Sequence, residues 1–196
     1  FDHSKKTKPN STERFELVKK GYEQFVNEGI LIQDAEPRLY IYKQTSEKHS
    51  CIGVIAGASV EEYLAKKIKI HEATLTSREA VFENYLDVVG YNAEPVLLSY
   101  KGNSRIQEAI DGVALDRPEY EFTTTDKIKH ELWIVSNEDA DKIQAYFEPI
   151  KEVYIADGHH RSASSAGLYT SKGDHYPNAE NFLAYFVEEQ QLNISS

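Results

Sequence analysis

The chain has 196 residues, of which 40% are hydrophobic and 28% charged, a composition typical of a folded domain long enough to bury a core. Its net charge of −10 disfavours non-specific binding to duplex nucleic acid, which needs a basic surface. The single cysteine, Cys51, excludes an internal disulfide framework and a cysteine-rich zinc site.

The same features bear on the compartment. No run of 18 or more apolar residues is present, so we predict no transmembrane helix. The first residues are polar and lack the apolar segment of a signal peptide. Together with the single cysteine, this leads us to expect a cytoplasmic protein. The chain begins at Phe1 and contains no methionine, so we expect either a piece of a longer protein or a sequence written without its methionines.

The first half of the chain alternates helical and extended patterns. The expected elements are a helix over 10–29, strands over 39–42 and 51–58, a short helix capped by Ser59, an alternating segment over 66–76, and a helix from its cap at Ser77 to Gly90.

The second half continues in the same way. The expected elements are a strand over 95–100, a helix over 104–110, strands over 120–125 and 130–135, a helix from 137 or 138 to 147, a strand ending at Asp157, a helix after it and a strand over 181–187. Several strands are neighbours in hairpins, so a mixed sheet with flanking helices is expected rather than a purely parallel one. We therefore predict one α+β domain over residues 1–196.

The most informative stretch is a polar pentad at the end of a short apolar run. The run from Val153 ends in Asp157, Gly158, His159, His160 and Arg161, and serines and small residues follow. This pattern predicts a strand, a tight turn at the glycine and the start of a helix. The first N–H groups of a helix favour an anion, and an arginine can add a bidentate contact to phosphate or carboxylate. The alternative is a surface loop in which Arg161 pairs with a neighbouring acid.

A second candidate stretch contains His71 and Glu72, which follow the alternating segment and precede a helix. Glu72 could act as a general base or help to hold a metal through water, and His71 could contact phosphate. The alternative is a polar pair on the surface. Arg78 is either a cation of the site or one half of a surface ion pair.

Several other chemistries find little support. Adjacent histidines such as His159 and His160 do not suit one transition metal on a helix, where ligands come three or four residues apart. Mg²⁺ needs only one or two carboxylates and substrate phosphates, and Asp157 and Glu72 could serve. Cys51 lies in an apolar strand, where thiols are usually inert. Neither GxxxxGK[ST] nor GxGxxG is present, so the two common phosphate-binding loops are excluded.

Four motifs in order resemble a bacterial and archaeal family catalogued as domain of unknown function 1015. They are YIYKQ at 40–44, GVI at 53–55, KIHEAT at 69–74 and IADGHHR at 155–161. The resemblance covers nearly the whole chain, and IADGHHR after an upstream HE is its most specific part. The sequence departs from the family pattern at Lys43, at Ser162 and over 77–79, where Arg, Tyr and a Lys-Glu pair are usual.

The resemblance also implies a function. The DGHHR element is similar to the strand–turn–helix that holds nucleotide phosphates in free-serine kinases of the ParB/sulfiredoxin type, and genes of the family often lie beside serine-biosynthesis genes. The expected activity is therefore phosphoryl transfer from ATP or ADP with Mg²⁺ to a small molecule, such as free serine. The implied roles are catalysis by Glu72, His71 and Asp157, metal binding by Asp157, and phosphate binding by Gly158, His159, His160 and Arg161.

Two alternatives use the same site. A non-catalytic sensor of nucleotides or phosphometabolites would need the pentad but no base. A nucleic-acid-binding protein of the ParB type is the third reading, and the net charge of −10 weighs against it. The expected partner is thus a small phosphate-bearing ligand, with no membrane and no nucleic acid.

Overall fold

A computed structural model describes residues 7–72, 75–176 and 178–192 of the chain. In these residues it has eight strands and six α-helices. They are α1 (Thr12–Asn27), β1 (Tyr40–Thr45), β2 (Ser50–Ser59), α2 (Val60–Leu64), β3 (Ile68–Lys69), α3 (Thr76–Val89), β4 (Val96–Tyr100), α4 (Ser104–Val113), β5 (Tyr120–Thr123), β6 (Lys129–Ile134), α5 (Asn137–Phe147), β7 (Val153–Asp157), α6 (His159–Lys172) and β8 (Asn181–Glu188).

The strands form one mixed sheet in the order β3-β7-β4-β8-β2-β1-β6-β5. Two pairs are parallel, β3 with β7 and β4 with β8, and the other five pairs are antiparallel. This confirms the predicted α+β class with a mixed sheet and helices packed on it. None of the helices in the described part of the chain is long and apolar enough to cross a membrane.

A row of apolar side chains crosses six neighbouring strands on one face of the sheet. Residues that are partners in register point to the same face, so the pairing defines the row. From β6 to β7 it consists of Trp133, Ile41, Val54, Phe186, Leu98 and Ile155. Five of these side chains are buried and Phe186 is partly buried, so this face carries the core.

The helices cover this face in two groups. Val60 of α2 and Ala166 of α6 pack over the half that contains β7, β4 and β8. Ile110 of α4 and Ile143 of α5 pack over the half that contains β1, β2 and β6. Phe186 contacts both groups and joins them into one continuous core.

Several helices begin or end at the polar cap residue or glycine that the sequence predicts. The Ser59 hydroxyl accepts a hydrogen bond from the backbone N–H of Glu62 at 3.3 Å, as the sequence predicts for α2. Gly90 ends α3 with φ of +84°, a conformation that glycine adopts without strain. The predicted cap at Ser77 is wrong, because α3 begins at Thr76 and its cap position is Leu75, which has no side-chain acceptor.

We expect the Leu98→Ala substitution to lower the free energy of unfolding by roughly 2–5 kcal/mol, because Leu98 is completely buried and the smaller side chain leaves a cavity. Urea denaturation measures this change. Leu115→Ala is the matched control, since Leu115 is 88% exposed and its loss removes little packing. Equal midpoints for the two variants would contradict the assigned core.

Candidate functional site

The polar pentad has the predicted strand–turn–helix conformation. β7 ends at Asp157, Gly158 turns the chain with φ of +98°, and α6 starts at His159. A Cβ atom on residue 158 would lie 3.0 Å from Nε of Arg161, so the glycine also makes room for this side chain. The cap position of α6 offers no side-chain acceptor to the first backbone N–H groups. The N–H of Arg161 donates to the carbonyl of Gly158 at 2.9 Å, so the N–H groups of His159 and His160 are the ones left for water or for a ligand.

Parallel pairing of β3 with β7 brings the two candidate stretches together. Ile68 pairs with Val153 and Lys69 with Tyr154, so both strands run toward the same end of the sheet. The rings of His71 and His159 then meet edge to face, with centroids 4.4 Å apart and planes at 90°. Sequence reasoning proposed both stretches but could not show that they form one site.

His159 lies at the centre of this site. It is only 6% exposed, and its Nε2 atom has no hydrogen-bond partner among the residues that the structure describes. Burial lowers the pKa of His159 below its ordinary value of 6.5, and nearby His71 lowers it further, while Glu72 and Asp157 act in the opposite direction. The lowered pKa favours the neutral imidazole of His159 at pH 7, and its Nε2 atom is buried.

Arg161 is held by acids on two sides. Its guanidinium forms an ion pair with Asp157 at 2.5 Å and another with Glu94 at 3.1 Å, and it donates to the carbonyl of Pro95 at 2.6 Å. This is the pairing that the sequence analysis kept open as the alternative to phosphate binding. Its role toward phosphate stays a prediction.

Glu94 was missed by sequence reasoning. β4 runs antiparallel to β7, so the residues just before β4 lie beside the end of β7, where Asp157 and the pentad are. The register between the two strands shifts between Leu97 and Leu98. Such bulges re-aim side chains at the end of a strand and are frequent near functional sites. No local signal in the sequence marks Glu94 as a partner of Arg161.

Helix α3 packs along α6 and brings a further side chain to the pentad. The Ser164 hydroxyl lies 3.1 Å from the carbonyl of Glu79, and Lys172 forms an ion pair with Asp87 at 2.7 Å. Residue numbers rise together along both helices, so α3 and α6 run in the same direction. The ring of Phe82 on α3 stacks against that of His160 at an interplanar angle of 18° and a centroid distance of 6.5 Å.

The serines that follow the pentad have a structural role. The hydroxyls of Ser162 and Ser165 donate to the carbonyls of His159 and Arg161, each at 3.0 Å. Both serines are buried, and these two hydrogen bonds lie within the first turns of α6, while Ser162 also hydrogen-bonds the side chain of Tyr63 on α2. Small side chains here let α6 pack closely, and their hydroxyl groups are already satisfied.

His71, Glu72 and Asp157 lie at the edge of the site. Glu72 is exposed, and its carboxylate has no hydrogen bond or ion pair with any residue in the described ranges. The side chain of Asp157 is 72% exposed although it pairs with Arg161. In the described part of the chain, no three His, Cys, Asp or Glu side chains cluster as a metal site would require. Two carboxylates at one edge nevertheless fit Mg²⁺, which completes its coordination with water and phosphate oxygens.

A large cavity lies elsewhere in the described part of the chain. It has a volume of about 760 Å³ and is lined by Ile68 and Val153, the first residues of β3 and β7, together with residues of α5 such as Ile143. The pentad is at the opposite end of β7. Cavity size alone would therefore direct attention away from the residues that the sequence motifs mark.

A model of the family described as "Protein of unknown function (DUF1015)" matches residues 2–196 of the chain. The chain belongs to this family. The match confirms the resemblance that the four motifs indicate. No curated protein and no solved structure matches the chain. Of the KIHEAT motif of this DUF1015 chain, Ala73 and Thr74 lie outside the described residues, and the similarity to ParB/sulfiredoxin-type kinases stays a prediction.

We expect Gly158→Ala to destabilise the protein by about 1–3 kcal/mol, because alanine is strained at φ of +98° and its Cβ presses on Arg161. Thermal and urea unfolding measure this loss. Gly21→Ala is the matched control, since Gly21 lies in α1 with no atom within 4 Å of the added Cβ, and alanine there should stabilise by about 0.5–1 kcal/mol. The same sign for both variants would contradict the assigned turn.

The lowered pKa of His159 predicts a pH dependence of stability. The unfolded chain binds a proton on this group at higher pH than the folded chain does, so its contribution is complete above about 6.5 and is lost as the pH falls through the folded-state pKa. NMR titration of the imidazole should give a pKa below 6.5. The fall in unfolding free energy between pH 7.5 and 5.5, about two pH units chosen to span the ordinary pKa, should be smaller in His159→Asn than in His175→Asn, which removes an exposed histidine.

Proposed function

We propose that this DUF1015 chain is a nucleotide-dependent phosphotransferase that acts on the hydroxyl group of a small molecule. The observation that carries the proposal is the 4.4 Å contact between the rings of His71 and His159. It joins an exposed carboxylate, Glu72, to a helix start that has unused donors. A base for the acceptor and a cradle for phosphates are the two parts that phosphoryl transfer needs.

The start of α6 supplies the cradle. Its first N–H groups have no side-chain cap, and the helix dipole favours negative charge at this end. Two ring nitrogens, Nε2 of His159 and Nδ1 of His160, are buried without a partner among the described residues. Buried polar atoms normally have a partner, and a ligand that reaches these two nitrogens would supply the missing hydrogen bonds.

The proposal includes a divalent cation that binds together with the phosphate, and the charges at the site support it. The guanidinium of Arg161 already pairs with the carboxylates of Glu94 and Asp157, and the carboxylate of Glu72 acts on neighbouring His159. A bare polyphosphate would add negative charge to a site where acids already outnumber the cation. Bound Mg²⁺ would neutralise this charge, and Asp157 and Glu72 are the carboxylates that could hold it.

In the proposed reaction, Glu72 accepts the proton of the acceptor's hydroxyl group. The oxygen of that hydroxyl forms a bond to the terminal phosphorus of the nucleotide. The bond from that phosphorus to the bridging oxygen breaks, and the shortened nucleotide leaves with the bonding electron pair. His159, His160 and the N–H groups of α6 hold the phosphate oxygens during the transfer. The enzyme contributes mainly position and charge stabilisation, and a general base adds about 10²–10⁴-fold. The motif similarity to free-serine kinases supports free serine as the acceptor.

A second function has one observation in its favour. Catalytic bases are usually oriented by a hydrogen bond, and Glu72 has none with any described residue. A sensor of nucleotides or phosphometabolites would use the pentad in the same way and would leave Glu72 without a role. The two functions share the ligand and differ in the need for the carboxylate.

The first experiment measures binding and transfer separately. Calorimetry with MgATP and MgADP tests the phosphate site, and mass spectrometry of serine incubated with each nucleotide tests transfer. We expect binding that is lost when Mg²⁺ is chelated, and the formation of phosphoserine. If neither nucleotide binds the folded protein, both proposed functions fail.

Glu72→Gln separates the two functions. We expect it to retain nucleotide binding and to lower transfer by about 10²–10⁴-fold, because glutamine cannot accept the proton. Since Glu72 is exposed, the substitution should leave the thermal unfolding midpoint unchanged. Glu119→Gln, at an exposed position before β5, is the control and should transfer at the wild-type rate. Binding without transfer in the wild type, and no change in Glu72→Gln, would favour the sensor.

A further inference from the structure

A small cavity adjoins the pentad on the side of α3. It has a volume of about 210 Å³ and lies between α3 and the loop that leads into β4. Phe82 and Tyr85 line it from the helix, Asn92 lines it from the loop, and Arg161 of the pentad completes the wall. Arg161 and its ion-pair partner Glu94, which also lines the cavity, thus connect it to the pentad, although no residue of the loop was predicted to be functional.

The size of the cavity suits one part of a ligand. Pockets that enclose a whole drug-sized molecule usually have volumes of roughly 300–1,000 Å³. A space of about 210 Å³ is smaller than this range, so its occupant would extend beyond it. The rest of the ligand would extend toward the pentad, because Arg161 both lines the cavity and belongs to the turn where phosphate is proposed to bind.

The walls favour a flat ring with polar atoms on its edge. Phe82 and Tyr85 offer aromatic surfaces, and Phe82 is 40% exposed. The ring of His160 is nearly parallel to that of Phe82, with centroids 6.5 Å apart, and continues the aromatic surface toward the start of α6. The side-chain amide of Asn92 has one donor group and one acceptor, and neither has a partner among the described residues.

We propose that this cavity binds the adenine base of the nucleotide whose phosphates lie at the pentad, an inference that rests on the proposed function. The base would stack on the aromatic side chains, and the asparagine amide can pair with the donor and acceptor atoms of the adenine edge. Proteins usually recognise guanine with a cationic side chain, and Arg161 is already paired with Asp157 and Glu94. The cavity therefore favours adenine over guanine.

A second cavity that Phe82 also lines is a less suitable site for the base. It has a volume of about 410 Å³, and its lining includes Asn10, Phe15 and Arg78. It includes no residue of the pentad, so a base in it would not be continuous with phosphates at α6. Arg78, which the sequence offered as a possible cation of the site, belongs to this second cavity.

The test compares ligands that share the phosphates and differ in the base. Calorimetry on the full chain, with Mg²⁺ present, measures the dissociation constants of ATP, GTP and inorganic tripolyphosphate, with ADP and pyrophosphate as a second pair. We expect ATP to bind about tenfold or more tighter than tripolyphosphate, as one stacked base would provide, and tighter than GTP.

Two substitutions locate the base. Phe82→Ala should weaken ATP binding by about tenfold and leave tripolyphosphate binding unchanged. Asn92→Ala, in a loop, should reduce the preference for ATP over GTP without loss of stability. Phe122→Ala removes a side chain that is 56% exposed on β5, at the far edge of the sheet, and should change neither affinity.

The outcomes separate the two proposals. Equal affinities of ATP and tripolyphosphate, or a Phe82→Ala variant that weakens both equally, would overturn the adenine site and leave the phosphate site standing. The adenine site would also be overturned if Asn92→Ala kept the full preference for ATP. If neither tripolyphosphate nor any nucleotide binds the folded wild type, the proposed function fails and this inference fails with it.

Discussion

A parallel pair of strands only two residues long holds the candidate site together. β3 contributes Ile68 and Lys69 to the edge of the sheet, and their pairing with β7 directs His71 and Glu72 toward the pentad. Ile68 fixes the pair, because its side chain is buried in the core cluster that also contains Val60 of α2. Lys69 adds an ion pair with Glu152 at 3.0 Å, but both side chains are largely exposed, so this pair stabilises little. Burial of one isoleucine therefore decides where the second motif lies.

The same end of the sheet collects charge from two neighbouring strands. β4 approaches antiparallel and places Glu94 beside Arg161, while β7 supplies Asp157. Arg161 consequently connects the turn to the loop before β4, a structural role that is separate from any contact with a ligand. A phosphate ligand must either draw this guanidinium away from its acids or arrive with a cation of its own. Neutral His159, which can donate or accept a hydrogen bond without adding charge, suits the second arrangement.

Helix packing explains how distant side chains reach this end. α3 and α6 run in the same direction, and small buried residues of α6, such as Ser164 and Ala166, allow close contact with neighbouring elements. Phe82 of α3 therefore lies over His160. The other group of helices, α4 and α5, packs over the opposite half of the sheet and contributes no residue to the pentad. The candidate site is thus confined to the half of the sheet that contains β3, β7 and β4.

Local patterns determined much of the fold from the sequence alone. The length of the apolar run, Gly158 and the small residues after it were enough to predict β7, the turn and the start of α6, because each of these depends on neighbouring residues. The same dependence on neighbouring residues explains the wrong cap prediction at Ser77, since a residue that caps helices well also fits inside the first turn. The contact of His71 with His159, the ion pair with Glu94 and the position of Phe82 were decided only by the tertiary structure. Strand pairing joins distant residues, and the period of a sequence pattern carries no information about which strand will be the partner.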